Sequence, residues 1–155
     1  MLRAMSEPDP ACALCAPRPD DSPQWLKVAT LDASTLYLDR NQTYRGHCQL
    51  VFDGRHAEGM EHLDSGEHTA LMGDLRRSAR AIAAVVQPDR MNYCSLGHVV
   101  PHLHWHLVPR HRADPRWGMP IYTTDPAQMR VTRLEEPALC QLAAALAQAL
   151  LEEKA

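Results

Sequence analysis

The sequence predicts an α+β domain, in which an antiparallel sheet of about five strands is combined with one long helix and a C-terminal helix. Three observations support this class. Short apolar runs bounded by turn residues occupy the first part of the chain, which is the pattern of a β-meander. A long amphipathic segment follows, and a second one lies near the C-terminus. Between the two helical segments lie two further strand-like segments.

The first strands follow an irregular arm. Residues 1–24 are rich in Pro, Asp and Ser, and no apolar period predicts regular structure there. "WLKVATLDASTLYLD" (25–39) predicts two short strands joined at Asp32 and Ala33. "HCQLVF" (47–52) predicts the third strand of the meander.

The long helix has clear start and stop signals. Asp64 or Ser65 can cap its first turn, Glu67 lies in that turn, and Pro88 ends the pattern. Its apolar residues recur at helical spacing: Leu71, Leu75, Ala79, Ile82 and Val86. Residues 135–153 predict the second helix, with acidic residues and a proline at its start.

A segment with three histidines follows a predicted strand over residues 90–97. In "HLHWHLVPR" (102–110), His102, His104 and His106 occupy every second position. Alternate side chains of an extended strand share one face, so the three imidazoles point one way and the apolar side chains the other. Three histidines in register are costly to desolvate unless they bind or react, which favours a functional over a purely structural interpretation.

The chain length bounds the domain organisation. At 155 residues the chain suffices for one domain with short tails. We expect an N-terminal arm (1–24), a core (25–110) and a C-terminal loop and helix (111–155). The link over residues 111–134 has no clear period, and we expect it to cover either the active site or a partner chain.

Composition excludes several function classes. The net charge of −3 and the scattered basic residues give no indication of nucleic-acid binding. No apolar run approaches the roughly 20 residues that span a bilayer, and the first residues lack the apolar core of a signal peptide. We therefore expect a soluble, cytoplasmic protein without a membrane partner. In a reducing compartment, Cys12 and Cys15 are expected to bind metal or to be free thiols rather than to form a disulfide.

The histidine segment resembles the motif of the histidine triad (HIT) family, and the Pro-Arg that follows it is common in that family. The resemblance extends upstream to "YLDRNQTYRGHCQLVFDGRH" and "NYCSLGHVVPH", and it covers roughly residues 12–110. It implies a HIT-like fold, with an antiparallel sheet, and a two-fold homodimer. It also implies a nucleotide hydrolase or nucleotidyl transferase that acts at an α-phosphate.

The resemblance and the chemistry of imidazole together assign the catalytic residues. A neutral histidine can attack phosphorus with one ring nitrogen while the other carries a proton. We assign His104 as the nucleophile that forms a covalent nucleotidyl-histidine intermediate. His106 is expected to donate to the phosphate or the leaving group, and thus to be both catalytic and substrate-binding. The resemblance implies that the backbone carbonyl of His47 accepts the Nδ1 proton of the nucleophile.

The substrate-binding residues are carried over from the family. Asp39 matches the position that holds the ribose hydroxyls, although a solvated turn aspartate is the alternative. Asn92 matches an amide residue near the phosphate and the leaving group. Where many members read Gly-Gln-Ser or Gly-Gln-Thr, this chain reads Gly97-His98-Val99. His98 is either an additional donor to the phosphate or an exposed loop residue.

The two N-terminal cysteines have the spacing of a zinc half-site, Cys12-Ala-Leu-Cys15. Some HIT proteins complete such a pair with histidines that match His56 and His102. Four ligands would saturate the zinc ion, so the resemblance implies a structural metal and no catalytic metal. Free thiols on a loose arm are the alternative.

The expected substrate is a purine nucleotide conjugate, either a dinucleoside polyphosphate or a phosphoramidate. The sequence does not choose between hydrolysis and nucleotidyl transfer. Two other functions remain open. One is a nucleotide-binding protein with little turnover, and the other is a metallohydrolase in which histidines of the triad bind a catalytic metal.

Overall fold

Five antiparallel strands form one sheet in the computed structural model of the chain, which describes residues 7–114 and 116–153. The strands are β1 (Trp25–Thr30), β2 (Ser34–Asp39), β3 (Cys48–Phe52), β4 (Arg90–Cys94) and β5 (His104–Arg110). Their order in the sheet is β1-β2-β3-β5-β4, so the histidine strand lies between two neighbours and β4 lies at the edge. Residues 1–6 of the predicted arm and residues 154–155 of the C-terminal segment lie outside the described residues.

Two α-helices complete the predicted α+β fold: α1 (Ser65–Val86) and α2 (Glu136–Glu152). Asp64 caps α1 and forms a reciprocal capping box with Glu67, which confirms the predicted start. Two short 3₁₀ helices span Met60–His62 and Pro126–Gln128. None of the described helices is long and apolar enough to cross a membrane.

One face of the sheet carries the hydrophobic core. Alternation along the strands turns their large apolar side chains toward this face, and both helices cover it. Side chains buried there come from the sheet and from both helices: Leu36, Leu38, Leu50, Leu71, Ile82, Leu107, Leu139, Leu142 and Leu146. Helix α2 packs against α1 and β1, so the C-terminal segment shares the core of the strands.

The opposite face of the sheet, here called the outer face, is covered by two irregular segments. Cys12 and Leu14 of the N-terminal arm pack against Tyr37 and Val51. Residues 116–132, here called the strap, return after β5 to the connection between β2 and β3. There the amide N–H of residue 42 donates to the carbonyl of residue 132 (2.7 Å).

The strands around the histidine segment are shorter than predicted. β4 ends at Cys94, although the prediction extended it to residue 97. β5 begins at His104, so His102 precedes the strand and does not share its regular alternation. The backbone just before β5 is bonded to the loop that follows β3, because the Leu103 N–H donates to the carbonyl of Ala57 (2.6 Å). The assigned strand therefore contains His104 and His106, and His102 lies just before it.

Candidate functional site

His104 and His106 lie on the outer face of β5, in the middle of the sheet. The register places His104 opposite Val51, and His106 lies between Gln49 of β3 and Cys94 of β4. Alternation turns both imidazoles away from the core, as predicted for these two residues. Their ring centroids are 5.3 Å apart.

The tautomer of His104 is fixed by one hydrogen bond. Its Nδ1 lies 2.6 Å from the backbone carbonyl oxygen of His102. A carbonyl can only accept, so Nδ1 carries a proton and donates, and in the neutral ring Nε2 keeps its lone pair. Among the described residues no hydrogen-bond partner is found for Nε2. The ring nitrogen that faces away from the backbone is thus free to act as a nucleophile.

The carbonyl that holds His104 is not the predicted one. The carbonyl oxygen of His47 instead accepts from the Asp39 backbone N–H (3.0 Å) and from Gln42 Nε2 (3.2 Å). Both donors belong to the connection between β2 and β3 and its ends, so the His47 carbonyl oxygen is already hydrogen-bonded within this turn. The prediction for the His47 backbone is therefore wrong, and His102 takes that role.

His47 contributes its ring to the site. Its Nε2 lies 3.0 Å from Nδ1 of His106. Burial lowers the pKa of His106 to about 3, and His47 and His104 add to this shift. Burial also lowers the pKa of His47, although Asp39 and a hydrogen bond to the Asn41 backbone act in the opposite direction. Both imidazoles are therefore neutral near pH 7.

Asp39 lies beside these two histidines. Its Oδ1 accepts from the Asn41 backbone N–H (2.7 Å), and its Oδ2 accepts from Gln49 Nε2 (2.7 Å). Ligand atoms of Asp39, His47 and His106 all lie within 4.8 Å of one another. Gln49 was not predicted as a site residue. The alternation of β3 could have found it, because it places this polar side chain on the outer face.

Two other predicted substrate-binding residues lie apart from this group. The Asn92 amide oxygen accepts from Arg110 Nη1 (3.0 Å), and the β4 residue opposite His106 is Cys94. His98 lies on an exposed loop and makes no side-chain hydrogen bond with the described residues. The structure thus brings together Asp39, His47, His104 and His106, but it does not place Asn92 or His98 in contact with them.

Tyr122 of the strap also reaches the histidines. Its ring meets the His106 ring edge-on, with centroids 5.9 Å apart and an interplanar angle of 82°. Burial raises the pKa of its phenol, so the hydroxyl stays protonated at neutral pH. No periodic signal in the link over residues 111–134 points to this residue.

A second group of side chains lies at the end of the arm. Cys12 Sγ is 3.5 Å from His102 Nδ1, and Cys15 Sγ is 3.4 Å from the same nitrogen. Cys15 Sγ is also 3.3 Å from His56 Nδ1. The ligand atoms of all four residues lie within 4.8 Å of one another, so the predicted set is brought together and could hold a metal ion.

The donor geometry fits a tetrahedral ion. With Zn–S near 2.3 Å and Zn–N near 2.05 Å, adjacent tetrahedral ligands are about 3.6 Å apart, close to the observed sulfur–nitrogen distances. His102 Nε2 donates to the carbonyl of Phe52 (2.8 Å), which leaves its Nδ1 lone pair facing the sulfurs. His56 Nε2 lies 3.6 Å from a carboxylate oxygen of Glu58, a partner that was not predicted.

The electrostatics of this group also favour a bound cation. Burial lowers the pKa of His102, which keeps the ring neutral and able to coordinate. Burial raises the pKa of the Cys15 thiol, so its thiolate needs a nearby positive charge. A divalent cation among the four donor atoms would supply that charge.

Comparisons with known proteins agree with this architecture. The HIT domain profile matches residues 24–113, which is more than half of the chain. No curated protein sequence matches the chain. A histidine triad protein from Bradyrhizobium japonicum has 23% identity and a TM-score of 0.74, and the match covers 82% of this chain and 91% of that one.

Two further solved structures resemble the chain. A histidine triad protein from Marinobacter aquaeolei has 21% identity and a TM-score of 0.73, with 83% of this chain and 90% of that one covered. A zinc-bound histidine triad family protein from Mycobacterium smegmatis has 20% identity and a TM-score of 0.58. That match covers 86% of this chain and 88% of the other. These likenesses show a shared fold, and together with the profile match they show that the chain belongs to the HIT domain family.

Proposed function

We propose that this chain is a nucleotide hydrolase or nucleotidyl transferase that attacks the α-phosphorus of a nucleotide conjugate with His104. Its family supports nucleotide binding with hydrolase or transferase chemistry in general. The observation that carries the proposal is the 2.6 Å contact between His104 Nδ1 and the His102 carbonyl. In a neutral imidazole this contact leaves the Nε2 lone pair on the outer face, where a nucleophilic imidazole requires it.

The reaction would proceed in two displacements. The Nε2 lone pair of His104 forms a bond to the α-phosphorus, and the bond from phosphorus to the leaving group breaks. The electron pair goes to the leaving group, which takes up one proton from solvent, and the acceptor of the second step returns one proton to solvent. Water, or another acceptor in a transferase, then attacks the same phosphorus and breaks the P–N bond, which regenerates the imidazole.

His106 would stabilise the charge that develops on the phosphate or the leaving group. Its pKa of about 3 supports a neutral donor rather than an imidazolium acid. In the tautomer in which His47 Nε2–H donates to His106 Nδ1, the remaining proton of His106 lies on Nε2. That N–H would then be available to an oxygen of the substrate.

Asp39 is suited to hold the ribose of the same nucleotide. Gln49 and the Asn41 N–H each use one acceptor site on its carboxylate, and a carboxylate has about four. The remaining sites can accept from the two ribose hydroxyls. We propose a purine nucleotide conjugate as the substrate, either a dinucleoside polyphosphate or a phosphoramidate. We retain Asn92 as a candidate contact of the phosphate and the leaving group, and His98 as a candidate donor to the phosphate.

We propose zinc as the ion of the Cys12, Cys15, His56 and His102 group, with a structural role. The two-sulfur, two-nitrogen donor set and its tetrahedral spacing support zinc. All four positions would be filled by protein ligands, so no catalytic metal is required. We also propose a cytoplasmic location, since a reducing compartment keeps cysteines available to bind a metal rather than to form a disulfide.

A metal-dependent hydrolase is a second candidate, because Asp39, His47 and His106 also have ligand atoms within 4.8 Å. A metal there would replace the hydrogen bond between the two histidines. Its bound water, rather than His104, would then attack the substrate. A protein that binds nucleotides with little turnover is the remaining alternative.

The test is a substrate panel with acid-quenched turnover. Adenosine phosphoramidate and diadenosine tetraphosphate are incubated with the purified chain, and intact protein is analysed by mass spectrometry. We expect a nucleoside monophosphate on His104, and we expect His104→Ala to lose at least about 1,000-fold in kcat while it still binds AMP. His68→Ala removes an exposed histidine of α1 and should leave turnover unchanged.

Three outcomes would contradict the proposal. Near-wild-type turnover of His104→Ala would exclude His104 as the nucleophile. Complete loss of turnover on chelation, without a change in melting temperature, would favour the metal-dependent alternative. Nucleotide binding without turnover of any substrate in the panel would identify a binding protein.

We further propose a homodimer formed at the β4 edge of the sheet. β4 has a strand neighbour on one side only, so its free edge can pair with another strand. Beside it lies an apolar groove lined by Met72, Leu75, Met91, Tyr93 and Trp105. We expect sedimentation equilibrium to give twice the chain mass of 17.4 kDa, and Tyr93→Lys to give the monomer mass. A wild-type monomer would contradict the proposal.

A further inference from the structure

The segment between β2 and β3, here called the connection loop (residues 40–46), joins two residues of the candidate site. Asp39 is the last residue of β2, and His47 directly precedes β3. The backbone of Asn41 contacts both side chains, because its N–H donates to Asp39 Oδ1 (2.7 Å) and a hydrogen bond joins the His47 ring to this backbone. The conformation of the connection loop therefore determines where the carboxylate and the imidazole lie.

The side chain of Gln42 fills the centre of the connection loop. Its Nε2 donates to the carbonyl oxygens of Asp39 (2.5 Å) and His47 (3.2 Å), and its Oε1 accepts from the Gly46 N–H (2.7 Å). Gln42 is only 4% exposed, so water has little access to these backbone groups. One amide thus pairs with backbone groups at both ends of the loop, and its loss would leave buried polar atoms without their partner.

Gly46 shows how tightly this backbone is packed. Its φ is +86°, in the region that favours glycine, and a Cβ at this position would lie 3.0 Å from Val86 Cγ1 and 3.2 Å from Pro109 Cγ. The connection loop is therefore packed against the end of α1 and against the histidine strand. Since the Gly46 N–H donates to Gln42 Oε1, the hydrogen bonding of this packed backbone depends on the amide.

The nucleophile is held by a different segment. His104 Nδ1 donates to the carbonyl of His102, and these two residues lie at or just before the start of β5. Loss of the Gln42 amide would therefore displace the carboxylate of Asp39 without removing the hydrogen bond that prepares His104. Substrate binding and the attack on phosphorus should separate in a variant of Gln42.

We propose that Gln42 is a positioning residue, which acts through Asp39 and the backbone of the connection loop and sets the selectivity of the site for a ribose. This inference rests on the proposed function, because it needs a nucleotide whose ribose lies at Asp39. It adds a buried residue that touches neither substrate nor nucleophile to the groups that determine substrate binding.

The first experiment compares AMP with 2′-deoxy-AMP on the intact, metal-loaded chain by isothermal titration calorimetry. Loss of a hydrogen bond to a charged group predicts that the wild type binds AMP about 10- to 100-fold more tightly than 2′-deoxy-AMP. Gln42→Met keeps the length of the side chain and removes its hydrogen bonds, so it should reduce this ratio to less than about 3. Arg45→Met, at an exposed position of the same loop, is the matched control and should keep the wild-type ratio.

Steady-state kinetics separate positioning from a general loss of structure. With diadenosine tetraphosphate as the substrate, Gln42→Met should raise KM more than it lowers kcat, because His104 keeps its contact with the His102 carbonyl. A partly unfolded sample would instead lower the apparent kcat and leave KM unchanged. Circular dichroism measures the folded fraction of each variant.

A variant of the same size provides a pH-dependent rescue. In Gln42→Glu a carboxylate cannot donate to the two carbonyl oxygens, whereas a protonated carboxyl can. Burial raises the pKa of the introduced carboxyl, so its AMP affinity relative to the wild type should recover as the pH falls from about 8 to about 5.5. Asp39 and His47, the titratable groups at the ends of the loop, are present in both chains. Gln141→Glu, exposed on α2, should show no recovery.

Three results would refute the role of Gln42 and leave the proposed function standing. The first is a wild-type ratio of AMP to 2′-deoxy-AMP affinity in Gln42→Met. The second is an unchanged KM with a kcat that falls in proportion to the folded fraction. The third, which decides if Gln42→Met does not fold, is the absence of any recovery of Gln42→Glu at low pH. Equal wild-type affinities for the two probes, or failure of both to bind, would overturn the proposed ribose contact of Asp39 together with this inference.

Discussion

A single residue connects the two candidate sites of this domain. The His102 ring lies among the metal-ligand group, and its backbone carbonyl accepts the Nδ1–H of His104. Its remaining ring nitrogen donates to Phe52, so each polar atom of the side chain is committed. His102 can make both contacts because it precedes β5, so its backbone is not part of the hydrogen-bonding pattern of that strand.

His106 should leave a signature in the pH dependence of stability. Its folded-state pKa is lowered to about 3 from the ordinary value of 6.5, mainly by burial. The unfolded state therefore binds a proton between these two values while the folded state does not. The neutral His106 ring therefore leaves the free energy of unfolding unchanged above about pH 6.5. Below that pH the free energy of unfolding decreases as the pH falls toward 3.

We expect His106→Asn to weaken the pH dependence of the free energy of unfolding below pH 6.5. Urea denaturation at several pH values would show a shallower decline of the free energy of unfolding below pH 6.5, by at most about 1.4 kcal/mol per pH unit for one group. His68→Asn, at an exposed position of α1, should reproduce the wild-type slope. An unchanged slope in His106→Asn would mean that this ring is not neutral in the folded state.

At the scale of elements, Asp74 joins α1 to the turn between β1 and β2. Its buried carboxylate accepts from the backbone N–H groups of Asp32 and Ala33 (3.2 and 2.8 Å) and from Ser34 Oγ (2.7 Å). Arg77 pairs with the same carboxylate at 2.6 Å. These contacts of Asp74 fix the position of α1 against the strands whose outer face carries the site.

Asp74→Ala should destabilise the fold by about 3 kcal/mol or more, because it leaves several buried donors unpaired. The free energy of unfolding from urea titration measures this loss. Asp32→Ala is the matched control, since it removes only an exposed ion pair to Arg77 and should cost less than about 1 kcal/mol. Similar losses in the two variants would show that the buried carboxylate is not the stabilising group.

Local sequence signals account for the elements of the fold. The capping box of Asp64 and Glu67 and the apolar period of α1 predict that helix almost to the residue. Alternation predicts the outward direction of His104 and His106, because strand geometry alone determines it. These features depend on neighbours in the chain, which a sequence displays directly.

The parts that sequence reasoning missed depend on contacts between distant segments. The acceptor for His104 is set by the irregular backbone before β5, and that irregularity comes from the bond of Leu103 to Ala57. Tyr122 reaches His106 through a strap without periodic structure, so no pattern could place it. Glu58 was missed although it lies only two residues after His56.

At the scale of the whole molecule, the four candidate metal ligands join three separate segments. Cys12 and Cys15 belong to the arm, His56 to the loop after β3, and His102 to the turn before β5. The arm has no strand or helix of its own among the described residues, and its buried contacts are few. A metal ion at this point would therefore tie the arm to the sheet, and its binding energy would become folding energy.

Removal of one thiolate tests this role. Cys15→Ser should lower the zinc content from about one ion per chain and lower the melting temperature by more than about 5 °C, at about 2–4 °C per kcal/mol for a chain of this size. Turnover per folded molecule should persist in part, because Nε2 of His104 is not a ligand. Cys140→Ser, at an exposed thiol of α2, should change neither property. A variant that lost zinc and all turnover but melted like the wild type would instead assign the metal to catalysis, and His104 would then have to be reassigned.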